Sequence, residues 1–274
     1  MSQRVQVVTG LFDIGREFND GRSVSEYLSH LGALLSSCPD AIVFHDCIDQ
    51  DFQSNHSSVK FIQLTLSDLK IWSLVDKISH ICSTYLDLGF SDLVYKNALY
   101  GVVIHSKFEL LRRGLEFSDA CNYLWLDAGV FRFHPEIQNI SGIHLDENMC
   151  ELELFEISVW RNFSFLQLMA QRRLISPPEV GSSKRVIGAA AFVLNKSAIL
   201  DYESESFTLI NEWIAAKTWD TEQVLLAQLL KNRSNVRYFL QPRNTATRIV
   251  NVFFRSGKIQ SSDFLGKKIS KLLL

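Results

Sequence analysis

Two apolar runs of strand length, each followed within two residues by a small or acidic residue, enclose a helical segment early in the chain. The first run is VQVVT at 5–9, which stops at Gly10, and the second is AIVF at 41–44, which leads to Asp46. Between them, apolar side chains recur at helical spacing over 24–35. A strand–helix–strand order implies parallel strands joined by a crossover helix. We therefore predict an α/β fold with a mostly parallel central sheet flanked by helices.

The same alternation of elements continues along the chain. Further strands are predicted at 59–64, 123–126, 187–194 and 236–240, helices at 196–216 and 220–230, and a mostly helical stretch over 67–113. The segment 151–157 alternates polar and apolar residues, which is typical of an edge or half-exposed strand. One hydrophobic core is sufficient for a chain of 274 residues. We predict a single domain over 1–250 and a basic, apolar tail over 251–274 that packs on the domain or touches a membrane surface.

Charge and cysteine content exclude several classes of protein. The chain carries 28 Lys and Arg against 30 Asp and Glu, a net charge of −2, so we expect no nucleic-acid partner. The five cysteines show no C-x-x-C spacing, which fits a reducing compartment better than a disulfide framework or a zinc site. No window has the length and apolar character of a membrane span. We expect a cytoplasmic protein, peripheral at the inner membrane face if the tail binds lipid.

Polar residues follow three of the predicted strands, at the sheet edge where ligands bind in open α/β folds. They are Thr9 and Gly10 at the end of the first strand with Asp13 and Arg16 just behind them, Asp46 after the second, and Asp127, Gly129 and Arg132 after the strand at 123–126. Carboxylates beside arginines suit a ligand that carries phosphates and sugar hydroxyls. Each residue is alternatively a solvated loop charge, and Asp127 alternatively caps its own turn. The coincidence of three such groups at one edge favours a binding cleft.

A second acidic pair, Asp220 and Glu222, stands at the start of the helix predicted over 220–230. These acids are either N-cap residues of that helix or a general base for a substrate hydroxyl. The chain contains no G-x-x-x-x-G-K-[ST], G-x-G-x-x-G or G-x-S-x-G motif, which argues against P-loop, dinucleotide-binding and hydrolase-elbow sites.

The order of four short segments resembles the bacterial HtrL/YibB-type glycosyltransferase-like family. The segments are VTGLFDIGR at 8–16, WLDAGVFR at 125–132, GAAAF at 188–192 and DTEQVLL at 220–226, with Tyr95, Lys96 and Lys107 between the first two. The resemblance spans about residues 5–240 and implies a GT-A fold with a Rossmann-like nucleotide-binding half. It also implies transfer of a sugar, as in a hexosyltransferase, from a nucleotide-diphosphate sugar to a glycan or glycolipid acceptor. The expected setting is surface polysaccharide or lipopolysaccharide assembly.

The resemblance also implies roles for individual residues. Thr9, Asp13 and Arg16 would lie by the nucleotide, Gly188 and Ala189 would line the donor sugar pocket, and Asp220 or Glu222 would act as the base toward the acceptor hydroxyl. Asp127 takes the place of the D-x-D motif, which implies a divalent metal, Mn²⁺ or Mg²⁺, on the diphosphate. Gly129 stands where the second acid is expected, so Arg132 or Lys107 is the alternative source of positive charge. A loop over 176–185 would close over the donor.

Two other functions stay open from the sequence. The first is a non-catalytic protein that binds a nucleotide or glycan on the same fold, which the incomplete D-x-D motif favours. The second is a nucleotide-sugar hydrolase or nucleotidyltransferase, for which a glycine- and lysine-rich phosphate loop near the N-terminus is expected.

Overall fold

The computed structural model describes residues 2–133, 143–146, 153–159, 185–230 and 233–241. Its strands are β1 (Ser2–Leu11), β2 (Ile42–His45), β3 (Lys60–Gln63), β4 (Asn122–Leu126), β5 (Ile143–Asp146), β6 (Glu153–Val159), β7 (Arg185–Asn195) and β8 (Val236–Gln241). They form one sheet in the order β3-β2-β1-β4-β7-β6-β8, and β5 pairs with β1. The strands predicted from apolar runs are thereby confirmed.

Parallel pairing dominates the first half of the sheet. Val8 of β1 aligns with Ile42 of β2 on one side and with Trp125 of β4 on the other, and β3 pairs parallel with β2. In the second half β7 runs antiparallel between β4 and β6, and β8 pairs parallel with β6. This mixed but mostly parallel sheet, covered by helices, confirms the predicted fold class.

The prediction of an edge or half-exposed strand over 151–157 is wrong, because β6 lies inside the sheet between β7 and β8. Its polar residue Glu153 is buried rather than solvated. The Glu153 carboxylate accepts a hydrogen bond from the Tyr202 hydroxyl and lies 3.7 Å from Arg233. A buried carboxylate with such partners mimics the polar face of an edge strand in the sequence.

The helices are α1 (Arg16–Asp20), α2 (Val24–Ser37), α3 (Gln50–Asn55), α4 (Val75–Asp87), α5 (Leu93–Lys96), α6 (Ala98–His105), α7 (Lys107–Gly114), α8 (Lys196–Ala215) and α9 (Glu222–Leu230), with 3₁₀ turns at Leu66–Asp68, Lys70–Leu74 and Val130–Phe133. The helical stretch predicted over 67–113 is divided into several helices. Gly89, at φ +89°, follows the end of α4, and the Asn97 side chain caps α6 by accepting from the backbone N–H groups of Leu99 and Tyr100. The spacing of apolar residues alone does not predict such helix ends.

The sheet separates two hydrophobic clusters, because successive side chains of a strand point to opposite faces. Val8 belongs to the cluster that includes residues of α4 and α6–α9 on one face, and Val7 belongs to the cluster that includes residues of α2 on the other. Each fully buried aliphatic side chain of this kind contributes about 1.5–3 kcal/mol to folding.

Two predicted features, and the side chain of a third, lie outside the residues that the structure describes. The loop over 176–185 lies outside the described residues apart from Arg185, and the tail over 251–274 lies outside them entirely. Arg132 belongs to the 3₁₀ turn after β4, but the position of its side chain is outside the description. Within the described ranges, no helix has both the length and the apolar character needed to cross a membrane.

Candidate functional site

The strand order reverses between β1 and β4. From β1 the chain proceeds to β2 and β3 on one side, then returns to β4 on the other side of β1. In open α/β sheets, ligands bind at the carboxyl ends of the strands where the strand order reverses in this way. Gly10 near the end of β1 and Asp127 just after β4 flank this position, which we call the crevice.

Lys107, the first residue of α7, joins three separate elements at the crevice. Its Nζ lies 2.8 Å from Oδ1 of Asp127 and 3.2 Å from Oε1 of Glu222, the first residue of α9. The same Nζ donates a hydrogen bond of 2.9 Å to the backbone carbonyl of Ala189 in β7. Lys107, Asp127 and Glu222, which we call the lysine group, therefore bring together residues far apart in the sequence.

Burial and the neighbouring carboxylates shift the pKa of Lys107 in opposite directions. Burial lowers the pKa of Lys107, but the Asp127 and Glu222 carboxylates outweigh it, so the pKa lies above its usual range and the ammonium stays charged. Lys107 and Glu222 are 6% and 15% exposed, whereas Asp127 is 37% exposed. Asp127 is therefore the member of the lysine group that a ligand reaches most easily.

The Asp127 carboxylate is held in one orientation. Its Oδ1 accepts a hydrogen bond of 2.7 Å from the indole Nε1 of Trp125, in addition to the contact with Lys107. The backbone N–H of Asp127 donates to the carbonyl of Ala190 at 2.9 Å, and its carbonyl accepts from Val130 N–H at 2.9 Å. A carboxylate fixed on one oxygen is a preorganised acceptor for ligand hydroxyl groups.

A second cation, Arg16, lies between two tyrosine rings. Its guanidinium carbon is 5.2 Å from the ring centroids of both Tyr27 and Tyr100, within cation–π range. Its Nη1 donates to the Tyr27 hydroxyl, and its Nη2 pairs with Asp20. Burial lowers the pKa of Arg16, but the hydrogen bond to Asp20 and both tyrosines raise it overall, so Arg16 stays charged.

Tyr100 connects Arg16 with the lysine group. Burial is the largest cause that raises the pKa of the Tyr100 hydroxyl, and Glu222 and Asp127 raise it further, while Lys107 and Arg16 oppose them. The hydroxyl thus stays protonated among both cations and both carboxylates. The sequence analysis missed both tyrosines, because Tyr27 fits the apolar spacing of α2 and Tyr100 stands in an apolar helix without a distinguishing motif.

Asp13 and Asp46 shape the turn that leads to Arg16. The backbone N–H of Asp13 donates to Oδ1 of Asp46 at 2.8 Å, and Oδ1 of Asp13 accepts from Gly15 N–H at 3.0 Å. Burial is the main cause that raises the pKa of Asp46, and the Asp13 carboxylate adds to it. Gly15 has φ +65°, a conformation that favours glycine. The structure thus places both acids at the predicted edge of the sheet and gives them a role in fixing the β1–α1 turn.

The remaining small residues predicted at the donor site lie near the end of β1 and in β7. Thr9 is buried, and its Oγ1 has no hydrogen-bond partner among the described residues. A Cβ added at Gly10 would lie 3.1 Å from Leu110, so this glycine allows close packing of β1 on α7. Ala189 contributes its backbone carbonyl to Lys107, and Gly188 precedes it in β7 at partial exposure.

Asp220 and Glu222 have different environments although they are two residues apart. Glu222 reaches Lys107, whereas Asp220 is 2% exposed and contacts the core. Oδ1 of Asp220 accepts from Thr221 N–H at 2.6 Å, and its backbone carbonyl lies 2.9 Å from Nε2 of the buried His105. Burial raises the pKa of Asp220 to about 7 and lowers that of His105 to about 4. Only Glu222 joins the other predicted site residues.

The described residues offer a metal ion at Asp127 few protein ligands. Oδ1 of Asp127 is already occupied by donors from Lys107 and Trp125. Among the residues that the structure describes, no group of three or more His, Cys, Asp or Glu side chains is placed to hold a metal. Divalent cations such as Mg²⁺ and Mn²⁺ need several oxygen ligands, and Gly129 supplies no side chain where a second carboxylate would stand.

Comparison with solved structures identifies the fold. The structure is similar to core-mannan synthase A (CmsA/Ktr4) from Aspergillus fumigatus in its Mn/GDP form, with a TM-score of 0.50 and 10% sequence identity. The alignment covers 86% of this chain and 72% of that one. No protein-family model matches the sequence, and no curated protein matches it. The likeness confirms the predicted GT-A glycosyltransferase fold; membership of the HtrL/YibB-type family stays a prediction.

Proposed function

We propose that this protein is a glycosyltransferase that moves a sugar from a nucleotide-diphosphate sugar to a glycan or glycolipid acceptor. One observation carries the proposal: on a GT-A fold, the lysine group lies at the crevice between β1 and β4, where such folds bind ligands. A fold alone supports many functions, so the chemistry of these residues is the stronger argument.

Asp127 is proposed to accept hydrogen bonds from hydroxyl groups of the donor. Its carboxylate is the most exposed of the lysine group and is held by Trp125 and Lys107, which spares the ligand the entropic cost of ordering it. Ala189 and Gly188 border the same position and are proposed to line the sugar pocket. Lys107 links Asp127 and Glu222, because its ammonium pairs with both carboxylates.

Glu222 is proposed as the base that accepts the proton of the attacking acceptor hydroxyl. Of the two acids predicted for this role, it is the one that lies at the crevice, since Asp220 is enclosed in the core. A carboxylate within hydrogen-bond reach of the hydroxyl is what an inverting transfer requires. Negative charge then develops on the leaving diphosphate, and fixed cations such as Arg16 would stabilise it.

The broader setting is also proposed. The segments that resemble the HtrL/YibB-type family support hexosyl transfer in surface polysaccharide or lipopolysaccharide assembly. The basic tail over 251–274 supports a cytoplasmic enzyme in peripheral contact with the inner membrane face, because basic residues attract anionic lipid.

Release of free nucleotide from a panel of UDP-, GDP-, dTDP- and CMP-sugars, with mixed bacterial glycans as acceptors, tests the proposal. We expect turnover with one donor class and its loss in Asp127→Asn, while the exposed control Asp87→Asn, on α4, keeps it. Near-normal turnover in Asp127→Asn would overturn the role of this carboxylate.

A non-catalytic nucleotide- or glycan-binding protein is the second candidate. It is favoured by the engagement of Asp127 with Lys107 and by glycine in place of the second acid of D-x-D. Binding of a nucleotide or nucleotide sugar in the same panel, without release of free nucleotide under any condition, would support this alternative over the enzyme.

A further inference from the structure

We propose that Arg16, held by Tyr27, performs in this protein the task of a metal ion on the donor diphosphate, and that residue 129 is glycine to make room for Tyr27. The inference rests on the proposed function, because the diphosphate belongs to the proposed donor. It explains a feature that the fold leaves unexplained, namely why the second acid of the D-x-D motif is missing.

Gly129 is needed for space and not for backbone conformation. Among the described glycines, positive φ occurs at Gly15, Gly21 and Gly89, and Gly129 is not one of them. A Cβ added at Gly129 would lie 2.8 Å from Cε1 and 3.3 Å from Cδ1 of Tyr27. Real Cβ atoms essentially never approach a ring carbon to 2.8 Å, so any side chain at 129 must displace the Tyr27 ring.

Displacement of Tyr27 would release Arg16. The Tyr27 hydroxyl accepts a hydrogen bond from Nη1 of Arg16, and the Tyr27 ring lies below the guanidinium at 5.2 Å. The ring centroid of Tyr100 also lies 5.2 Å from the guanidinium carbon of Arg16. An aspartate at position 129 is therefore incompatible with the observed position of Tyr27 against Arg16. This chain has glycine at 129 and keeps the contact between Tyr27 and Arg16.

The held guanidinium is suited to a diphosphate. Arginine carries five N–H donors in a planar fork that matches the oxygens of phosphate groups. The described contacts with Tyr27 and Asp20 account for three of them. The Asp20 partner is 27% exposed, so it is a surface carboxylate that a more highly charged phosphate can replace at small cost. Lys107 meanwhile neutralises Asp127, the acid that would otherwise repel the diphosphate.

The test measures binding rather than turnover. Calorimetric titrations of UDP, GDP, dTDP and inorganic pyrophosphate are made with the parent protein, once in EDTA and once in Mn²⁺. We expect the bound probe to have the same Kd in both media. We expect Arg16→Met to weaken binding by about 10- to 100-fold, the range for loss of a hydrogen bond between charged groups.

A double-mutant cycle tests the link between Gly129 and Tyr27. Gly129→Ala is expected to weaken binding in EDTA when Tyr27 is present and to have no further effect in a Tyr27→Ala background, because the collision is then absent. Gly32→Ala is the matched control: this glycine lies in α2, the helix that carries Tyr27, and its added Cβ meets ordinary contacts at 3.7 Å. If Gly129→Ala fails to fold, Tyr27→Phe still tests the hydrogen bond to Arg16, and unchanged binding in this variant overturns the role of Tyr27.

The outcomes separate this inference from the proposed function. Binding of a nucleotide only in Mn²⁺ overturns the arginine assignment and leaves the transferase proposal standing. Binding of pyrophosphate that Arg16→Met abolishes, with no nucleotide bound, supports the arginine site and overturns the nucleotide-sugar donor. Absence of binding by every probe in both media overturns both.

Discussion

Replacing Asp220 by asparagine should change how the stability of the protein depends on pH. Asp220 is 2% exposed, and its Oδ2 has no hydrogen-bond partner among the described residues. Burial is the main reason that its pKa rises from the ordinary 3.8 to about 7; the Asp92 and Glu222 carboxylates add to the rise, and hydrogen bonding by Thr221 opposes it. Asparagine has the same shape, can still accept from Thr221 N–H, and carries no proton to lose.

The direction of this pH dependence follows from whether the folded or the unfolded state holds the proton of Asp220. Between about pH 4 and pH 7, the folded protein keeps the proton of Asp220 that the unfolded chain has released, so Asp220 makes the folded state less stable as pH rises. The interval from 3.8 to about 7, at ~1.4 kcal/mol per pH unit, corresponds to roughly 4 kcal/mol. The free energy of unfolding of Asp220→Asn minus that of the parent should therefore increase by roughly 4 kcal/mol from pH 4 to above pH 7, and then stay constant.

The difference between the two proteins is the useful quantity because His105 acts in the opposite direction. Burial lowers the pKa of His105 from 6.5 to about 4, so the stability that it contributes is lost as pH falls through this range. In the parent protein the two residues largely cancel between about pH 4 and 6.5. His105 is present in both proteins and disappears on subtraction.

Urea unfolding followed by tryptophan fluorescence, at several pH values from 4.5 to 8.5, measures the difference directly, and equal m values would show that the denatured states are comparable. Asp87→Asn, an exposed control, should show no such trend. A difference between Asp220→Asn and the parent that is flat over this range, or that decreases with pH, would refute the assignment of a buried protonated carboxyl at position 220.

Two further substitutions test the packing around the site. Lys107→Met should lower the free energy of unfolding by about 3–5 kcal/mol, and by less in a Glu222→Gln background, because it leaves two carboxylates without their buried cation. A loss below about 1 kcal/mol in chemical denaturation would contradict the central position of this ammonium. Gly101→Ala should lower the stability of the protein, because the added Cβ would lie 2.8 Å from the Trp219 ring and overpacking costs about 1–3 kcal/mol, which outweighs the gain of about 1 kcal/mol from replacing glycine by alanine in a helix. An increase in the midpoint of thermal unfolding would instead show that Trp219 moves aside without cost.

The layout of the sheet could be predicted from sequence because strand order leaves a local signal. Apolar runs such as 5–9 and 123–126 lie within β1 and β4, although β1 continues past the predicted stop at Gly10 to Leu11, and the carboxyl ends of parallel strands meet at one edge. That reasoning brought Asp127 and Arg16 to the same edge. Lys107 is identified only through the family resemblance and not from the positions of the strands.

Contacts between distant elements could not be predicted in this way. Tyr27 has the spacing of a core residue in α2, and only the structure shows its hydroxyl against Arg16 and its ring against Gly129. Asp220 and Glu222 are equally acidic in the sequence, but α9 begins at Glu222 and only that residue reaches Lys107. Glu153 made an interior strand resemble an edge strand, since a buried ion pair has the sequence pattern of a solvated face.

The central claim is that a nucleotide diphosphate binds in the crevice between β1 and β4. Amide hydrogen exchange, measured by mass spectrometry with and without saturating UDP, GDP or dTDP, tests it directly. We predict slower exchange with one of these nucleotides in peptides that cover residues 9–20 and 126–131, and unchanged exchange in α8. Protection confined to other parts of the sheet, or none with any nucleotide, would contradict the account.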